Sequence, residues 1–160
     1  MIAYHNDPKI KNKYLARVRA HAKADRLVRG IGWDGQKGCA VGCTLENYQH
    51  AAYETELGIP QEIARLEDSI FEGLPNDRAM KWPSEFLEAV QPGADLSLVF
   101  PRFILWLLVD PQDGVIRFAD KNRSKAIRQV ADLYLTWIKT GKPLAAAWAA
   151  AAWAAAAWAA

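Results

Sequence analysis

Several features that identify protein classes are scarce or missing in this chain. Its 160 residues include only two cysteines, too few for the disulfide framework of a small secreted domain and typical of a reducing compartment. The first residues, MIAYHNDPKIKNKY, lack the apolar core of a signal peptide. No phosphate-binding loop, nucleotide-binding glycine fingerprint or G-x-S-x-G motif occurs. We therefore expect a cytoplasmic protein, and none of these motifs identifies a reaction for it.

Long apolar runs are also absent. The most apolar stretch, DLSLVFPRFILWLLVD, continues for only about nine residues after Pro101, whereas a membrane-spanning helix needs ~20. The alanine-rich residues 144–160 are also too short, and alanine contributes little apolar transfer energy. We expect no membrane partner, and the pattern after Pro101 predicts the central buried helix of the fold.

Helical patterns dominate what is present. With 51% hydrophobic and 24% charged residues, the chain can form one ordinary domain with a core. Asp7 is suited to cap a helix whose first residue is Pro8 and which ends at Gly30. Later stripes with helical spacing end at Gly58, Gly73 and Gly141. The sequence therefore predicts a mainly α fold, with a compact helical domain over residues 1–142.

Residues 31–42 interrupt the helical pattern. A turn signal, Asp34-Gly35, is followed by a further glycine at position 38. The apolar residues around these turn formers alternate with other residues, and they are Ile31, Trp33, Cys39 and Val41. This alternation predicts a small β-hairpin near residues 31–42.

The stretch GCAVGCTLENYQH, residues 38–50, contains both cysteines and a histidine. A C-x3-C spacing brings the Cys39 and Cys43 thiols close together on a helix or in a tight turn. His50 and Glu54 follow, and two thiolates, an imidazole and a carboxylate form a sensible zinc ligand set. Structural zinc sites usually have a second ligand pair at C-x2-C or C-x4-C spacing, which the chain lacks. Zinc at these four residues is therefore an alternative to a chain without a cofactor.

The same cysteines allow other chemistry. Cys43 could act as a nucleophile with His50 as its base, or with His21 oriented by Asp25 one helical turn later. A redox pair is a further option, although C-x3-C differs from the thioredoxin-like spacing. The remaining interpretation is structural, with two small buried thiols beside glycines. The sequence favours the structural interpretation.

Charge is strongly segregated along the chain. Residues 1–30 carry eight lysines and arginines against two aspartates, and residues 46–95 carry eleven acidic residues against three basic ones. The basic segment could bind nucleic acid. More simply, a basic helix could lie across acidic helices of the same fold. We favour the second interpretation and expect no nucleic-acid partner.

The acidic residues invite a two-metal interpretation. Glutamates are frequent between residues 53 and 73, at positions Glu54, Glu56, Glu62, Glu67 and Glu72. Bundle di-iron sites need Glu-x-x-His pairs that face inward, and His50 precedes Glu54 at the wrong spacing for this. These carboxylates are therefore expected to form a solvated helix face.

The tract AAAWAAAAWAAAAWAA repeats every five residues and places Trp148, Trp153 and Trp158. Alanine favours helix, so residues 143–160 are predicted to form an Ala/Trp repeat helix. Five residues turn a helix by a net ~140°, so the three indoles point in different directions. Because the tract has no charge, we expect another surface to cover it. The three tryptophans are thus candidate interface residues for a homo-oligomer or a protein partner.

Three strings, GCAVGCTL, AAYETELGIP and ARLEDSIFEGLP, together with an Ala/Trp-rich C-terminal tract, resemble a family of uncharacterised bacterial and phage-type proteins. The resemblance extends over about residues 4–135. The family has no assigned activity, so the resemblance implies no catalytic residue.

Two functional hypotheses follow from the sequence. The first is a non-enzymatic interaction or structural protein that self-associates or docks a partner through its C-terminal helix. The alternative is a small metal- or thiol-dependent enzyme that uses Cys39, Cys43 and His50.

Overall fold

The computed structural model describes residues 1–143, and it confirms a mainly α fold. The chain divides into two compact units, Met1–Leu96 and a second that starts at Ser97. Within the described residues there are eight α-helices and no strand, and the helices are α1 (Pro8–Lys23), α2 (Ala40–Leu45), α3 (Ala52–Leu57), α4 (Gln61–Gly73), α5 (Asn76–Ala79), α6 (Trp82–Ala89), α7 (Val99–Val109) and α8 (Lys121–Thr140). Short 3-10 helices cover Ala3–Asn6 and Val115–Phe118. None of the helices in residues 1–143 has the length and apolar character needed to cross a membrane.

Helix α1 starts where the sequence predicts and ends earlier. The Asp7 carboxylate accepts a hydrogen bond from the Lys9 N–H at 2.8 Å, and Pro8 is the first helical residue. The helix ends at Lys23, well before the predicted Gly30, because Asp25 adopts a left-handed conformation (φ 53°) and turns the chain. The residues between this turn and α2 form an irregular loop.

The basic face of α1 lies across acidic residues of the same unit. The Arg17 guanidinium is 3.5 Å from a Glu46 carboxylate oxygen, and Arg19 pairs with Glu88 on α6. These contacts match the interpretation in which the segregated charges meet within the fold. Because these pairs are partly exposed they add little stability, but they engage two cations of the segment considered for nucleic acid.

The predicted β-hairpin at residues 31–42 is wrong. Gly38 forms only isolated bridges, and Cys39 is already the N-cap of α2. The backbone passes so close to the Gly32 carbonyl that a Cβ on Gly38 or Gly42 would lie 2.2 or 1.7 Å from that oxygen. This tight passage uses glycines for close packing and leaves no room for a paired strand. The apparent strand alternation at Cys39 is therefore the start of a helix.

The core of the first unit surrounds the short helix α2. All six residues of α2 are buried, and it packs against α1, α4 and α6. Around it lie fully buried side chains such as Val18, Leu57 and Phe71. The Tyr4 hydroxyl donates to the Leu87 carbonyl at 2.8 Å and thereby ties the N-terminus to α6. The cysteines on and beside α2 thus sit at the centre of this unit.

The second unit pairs α7 with α8. Its packed end is aromatic, since the Phe100 ring lies 6.1 Å from Trp137 and 6.4 Å from Tyr134. Helix α7 was expected to be the central buried helix, but it is only half-buried. Within the described residues, its main packing partners are α8 and the 3-10 helix Val115–Phe118. Gly141 ends α8 in a left-handed conformation (φ 70°) and Pro143 follows, as predicted. The predicted tract helix lies, from residue 144 on, outside the described residues.

Candidate functional site

Cys39 is built into the start of α2. Its sulfur accepts a hydrogen bond from the Gly42 N–H, and its thiol donates to the Gly32 carbonyl, both at 3.5 Å. Burial raises the pKa of the Cys39 thiol far above its ordinary value, and the nearby Asp68 carboxylate raises it further. Cys39 is therefore a neutral helix cap at physiological pH.

Cys43 lies one turn later on the same buried helix. Its thiol points at the carbonyl oxygens of Gly38 and Arg26, at 3.3 and 3.4 Å. Burial raises the pKa of Cys43 to about 11. Reactive or metal-binding thiols need a depressed pKa, so this environment suits a packing role. The two thiols hold the irregular loop against α2.

His50 pairs with a carboxylate and with neither cysteine. Its Nε2 lies 3.4 Å from Oδ2 of Asp68, and its ring stacks edge-on against Tyr48 at 4.9 Å. The Tyr48 hydroxyl donates to the same Asp68 oxygen at 3.2 Å. Asp68, which the sequence analysis did not single out, therefore orients both rings.

The remaining predicted site residues, His21 and Glu54, have partners outside the predicted set. His21 is buried, with Nε2 3.4 Å from a Glu46 oxygen, so its carboxylate partner is Glu46 in place of the predicted Asp25. Glu54 accepts a hydrogen bond from the Gln61 N–H at 3.1 Å and so caps α4. Among residues 1–143, no three His, Cys, Asp or Glu side chains are placed to share a metal ion. Cys39 and His50 both lie beside Asp68, whereas Cys43 and Glu54 have other hydrogen-bond partners, so the four predicted zinc ligands do not form one group.

The first unit also contains two adjacent buried carboxyl groups on α4, Glu67 and Asp68, here called the buried carboxyl pair. Glu67 is only 1% exposed. Neither Glu67 oxygen has a hydrogen-bond donor in ordinary geometry among the described residues, although the Tyr53 hydroxyl is near enough to favour the ionised form somewhat. Burial raises the pKa of Glu67 to about 8. Glu67 is therefore mostly protonated at neutral pH.

Glu67 does not lie on the solvated acidic helix face that the sequence predicted. The residue lies four positions after Ile63 and four before Phe71, and both of these are buried on the apolar stripe of α4. This position is the signal in the sequence that could have predicted its burial. A carboxyl group inside an apolar stripe can hold and release a proton within the core, which makes it a candidate functional or proton-sensing group.

The second unit contains an apolar groove, here called the C-terminal groove. It has a volume of about 540 Å³ and lies between α7, the 3-10 helix Val115–Phe118 and α8. Its apolar lining includes Leu108, Val115, Phe118, Ile127 and Val130, and Arg123 is the charged residue of the lining. Phe118 is 78% exposed. The sequence analysis did not single out Phe118, because exposure of one aromatic residue depends on how neighbouring helices pack.

The predicted interface residues Trp148, Trp153 and Trp158 lie outside the described residues. Comparison of the chain with protein-family models, with curated proteins and with solved structures finds no match. The resemblance to a family of bacterial and phage-type proteins stays a prediction.

Proposed function

We propose that the chain is a cytoplasmic, non-enzymatic interaction protein that self-associates through its C-terminal part, residues 97–160. The observation that carries this proposal is the apolar surface of the second unit. Trp106 is 43% exposed and Phe118 is 78% exposed, and both belong to a unit with an open apolar groove. An exposed apolar patch such as the lining of this groove marks interaction sites in soluble proteins.

The physical basis is the burial of aromatic surface. Phe, Tyr and Trp side chains bury ~150–250 Å² each and dominate interface energetics. The uncharged tract at residues 144–160 adds Trp148, Trp153 and Trp158 directly after the unit that already exposes such side chains. Burial of this surface gains ~25 cal/mol per Å² removed from water. A second copy of the chain supplies an equally apolar partner.

The test compares the full chain with a variant in which all three tract tryptophans are replaced by alanine. Alanine preserves the helix propensity of the tract, so only the indoles are lost. Light scattering coupled to gel filtration is expected to give an oligomer for the parent and a monomer for the variant. Circular dichroism should show that residues 1–143 of the variant stay folded. An equal mass for the variant and the parent would refute the proposal.

The alternative from the sequence is a small metal- or thiol-dependent enzyme that uses Cys39, Cys43 and His50. It has less support, because burial raises the pKa of both thiols and His50 pairs with Asp68. Metal analysis of protein purified without chelator tests it. Stoichiometric zinc that is lost in Cys43→Ser would favour this alternative.

A further inference from the structure

We propose that the C-terminal groove binds a free aliphatic carboxylate of medium chain length, with the carboxylate held by Arg123 and the hydrocarbon chain lying along α8. This inference goes beyond the proposed function and does not depend on it, because every residue it uses belongs to one copy of the second unit. It rests on the apolar lining of the groove, on the place of its charged residue, and on the direction in which the lining follows α8.

The lining of the groove is apolar except at one position. The volume of about 540 Å³ falls within the range of small-molecule sites in proteins. Among residues 1–143, the lining consists of seven apolar side chains and Arg123, with no acidic or hydroxyl side chain. A ligand rich in hydroxyl or amide groups would leave those groups without partners there. The groove therefore suits a hydrocarbon that carries one negative group.

The lining also has a direction along α8. Arg123, Ile127 and Val130 follow one another at i, i+4 and i+7, so they share one face of this helix. At about 1.5 Å per residue, Arg123 and Val130 are roughly 10 Å apart along the axis. The cation thus marks one end of this face and Val130 marks an apolar end. A carboxylate with one hydrocarbon chain has the same division of charge along its length.

Arg123 has donors left for an anion. Its Nε lies 3.5 Å from an Asp120 carboxylate oxygen, and the Asp120 side chain also accepts the Arg123 backbone N–H at 2.8 Å, which caps α8. The Nη groups of Arg123 have no hydrogen-bond partner within residues 1–143. Two parallel N–H donors of a guanidinium match the two oxygens of a carboxylate. The pair with Asp120 is exposed on both sides and therefore competes weakly.

A second guanidinium lies near the start of α8. Arg117 is 5.3 Å from the ring centroid of Phe118, which lines the groove, and it also donates to the Gln112 carbonyl. Phe118 precedes the α8 cap Asp120 by two residues, so this cation and Arg123 belong to the same end of the groove. Phe118 is 78% exposed, and a hydrocarbon chain beside its ring would remove apolar surface of both groups from water.

The experiment measures binding of octanoate, decanoate and dodecanoate to the full chain by isothermal titration calorimetry, below the micelle concentration of each. Affinity should rise about fourfold for each added methylene until the groove is filled, because each methylene leaves water. Decanol has the same chain length as decanoate and no charge. It should bind about tenfold more weakly, because the charged hydrogen bonds to Arg123 are lost.

Two pairs of variants locate the site. Arg123→Gln should weaken decanoate binding about tenfold and remove the difference between decanoate and decanol. Arg128→Gln is its matched control, because Arg128 is also exposed on α8 but does not line the groove. Phe118→Ser should weaken binding of both ligands at least about fivefold. Val99→Ser is its control, because Val99 is exposed in the same unit and does not line the groove.

Any one of three results would overturn the inference. Equal affinities of the parent chain for decanoate and decanol would leave no role for the cation. Equal effects of Arg123→Gln and Arg128→Gln would place the carboxylate elsewhere. The third result is a lack of saturable decanoate binding. Binding to phosphatidylglycerol vesicles in that case would identify a membrane surface as the ligand in place of a free carboxylate.

Light scattering on the same samples separates this inference from the proposed function. A chain that is monomeric at every concentration and binds decanoate in this way refutes self-association alone. An oligomer that binds no decanoate refutes the ligand site alone. An oligomer that binds decanoate with the expected response to Arg123→Gln supports both.

Discussion

The two units of the chain use their side chains in opposite ways. In Met1–Leu96, short helices enclose thiols, tyrosines and carboxyl groups, so that even polar side chains such as Glu67 and Thr44 are buried. In the second unit, α7 and α8 bury few of their residues and expose large apolar ones such as Trp106 and Phe118.

This difference suggests that the first unit provides stability and the second provides the interaction surface. The first unit buries most of its apolar side chains, so substitutions at these buried positions should act mainly on folding. The second unit has apolar surface left over, so its exposed positions should act mainly on association. Substitutions in each unit test this division, and the largest effect on stability is expected in the first unit.

Gly42→Ala should unfold or severely destabilise the first unit. The new Cβ would lie 1.7 Å from the Gly32 carbonyl oxygen, and neither backbone can move without displacing buried α2. We expect a loss of more than ~4 kcal/mol in the free energy of unfolding, measured by urea denaturation. Gly73→Ala is the control, since its Cβ meets no atom within 4 Å, and it should be neutral or stabilising. Similar losses for both variants would contradict the close packing.

Stability of the first unit should fall as pH rises from about 4.5 to about 8. Burial raises the pKa of Glu67 from 4.5 to about 8, so the folded state holds a proton that the unfolded chain releases. The stabilisation is complete below the unfolded pKa and is lost as pH rises through the folded pKa, a change of roughly 3–4 kcal/mol.

Glu67→Gln, which cannot ionise, should remove this part of the pH dependence. Glu85→Gln at an exposed position of α6 should leave it unchanged. Thermal unfolding at several pH values measures both variants. A parent whose stability is flat over this range, or equal slopes for the parent and Glu67→Gln, would show that Glu67 ionises without cost in the folded protein.

These expectations show which features a sequence can predict. Capping chemistry is local, so the Asp7 cap and the Gly141 stop are predictable, whereas the end of α1 before Gly30 is not, because its sequence does not show the left-handed turn at Asp25. The burial of Glu67 is also predictable in principle, since it lies on the stripe of Ile63 and Phe71.

Features that depend on distant packing are not predictable in this way. The alternation at residues 31–42 predicts a hairpin that does not form. The pattern of residue types does not show that the Gly32 carbonyl fills the space beside Gly38. Similarly, the apolar character of α7 does not show how few helices cover it. The pairing of His50 with Asp68 joins positions 18 residues apart, so spacing around Cys43 alone does not reveal it.

The thiols should behave as packing groups. Cys43→Ala removes contacts to the Gly38 and Arg26 carbonyls and is expected to cost ~1–2 kcal/mol in unfolding free energy. In the native parent at pH 8, both thiols should react with a disulfide reagent at least ~100-fold more slowly than in urea, since they are buried and protonated. Rapid stoichiometric reaction of the native protein would instead favour the thiol-dependent enzyme.

The smallest effect on stability should come from Phe118→Ser, and the same substitution at Phe71 gives the matched comparison. Phe71 is fully buried, so its replacement should cost ~3–5 kcal/mol. Phe118 is 78% exposed, so its replacement should change the unfolding free energy by less than ~1 kcal/mol. If the two units divide stability and interaction in this way, Phe118→Ser should nevertheless weaken self-association, whereas Phe71→Ser should change the unfolding free energy alone. A large loss of stability in Phe118→Ser would mean that the C-terminal groove is part of a core and not an interaction surface.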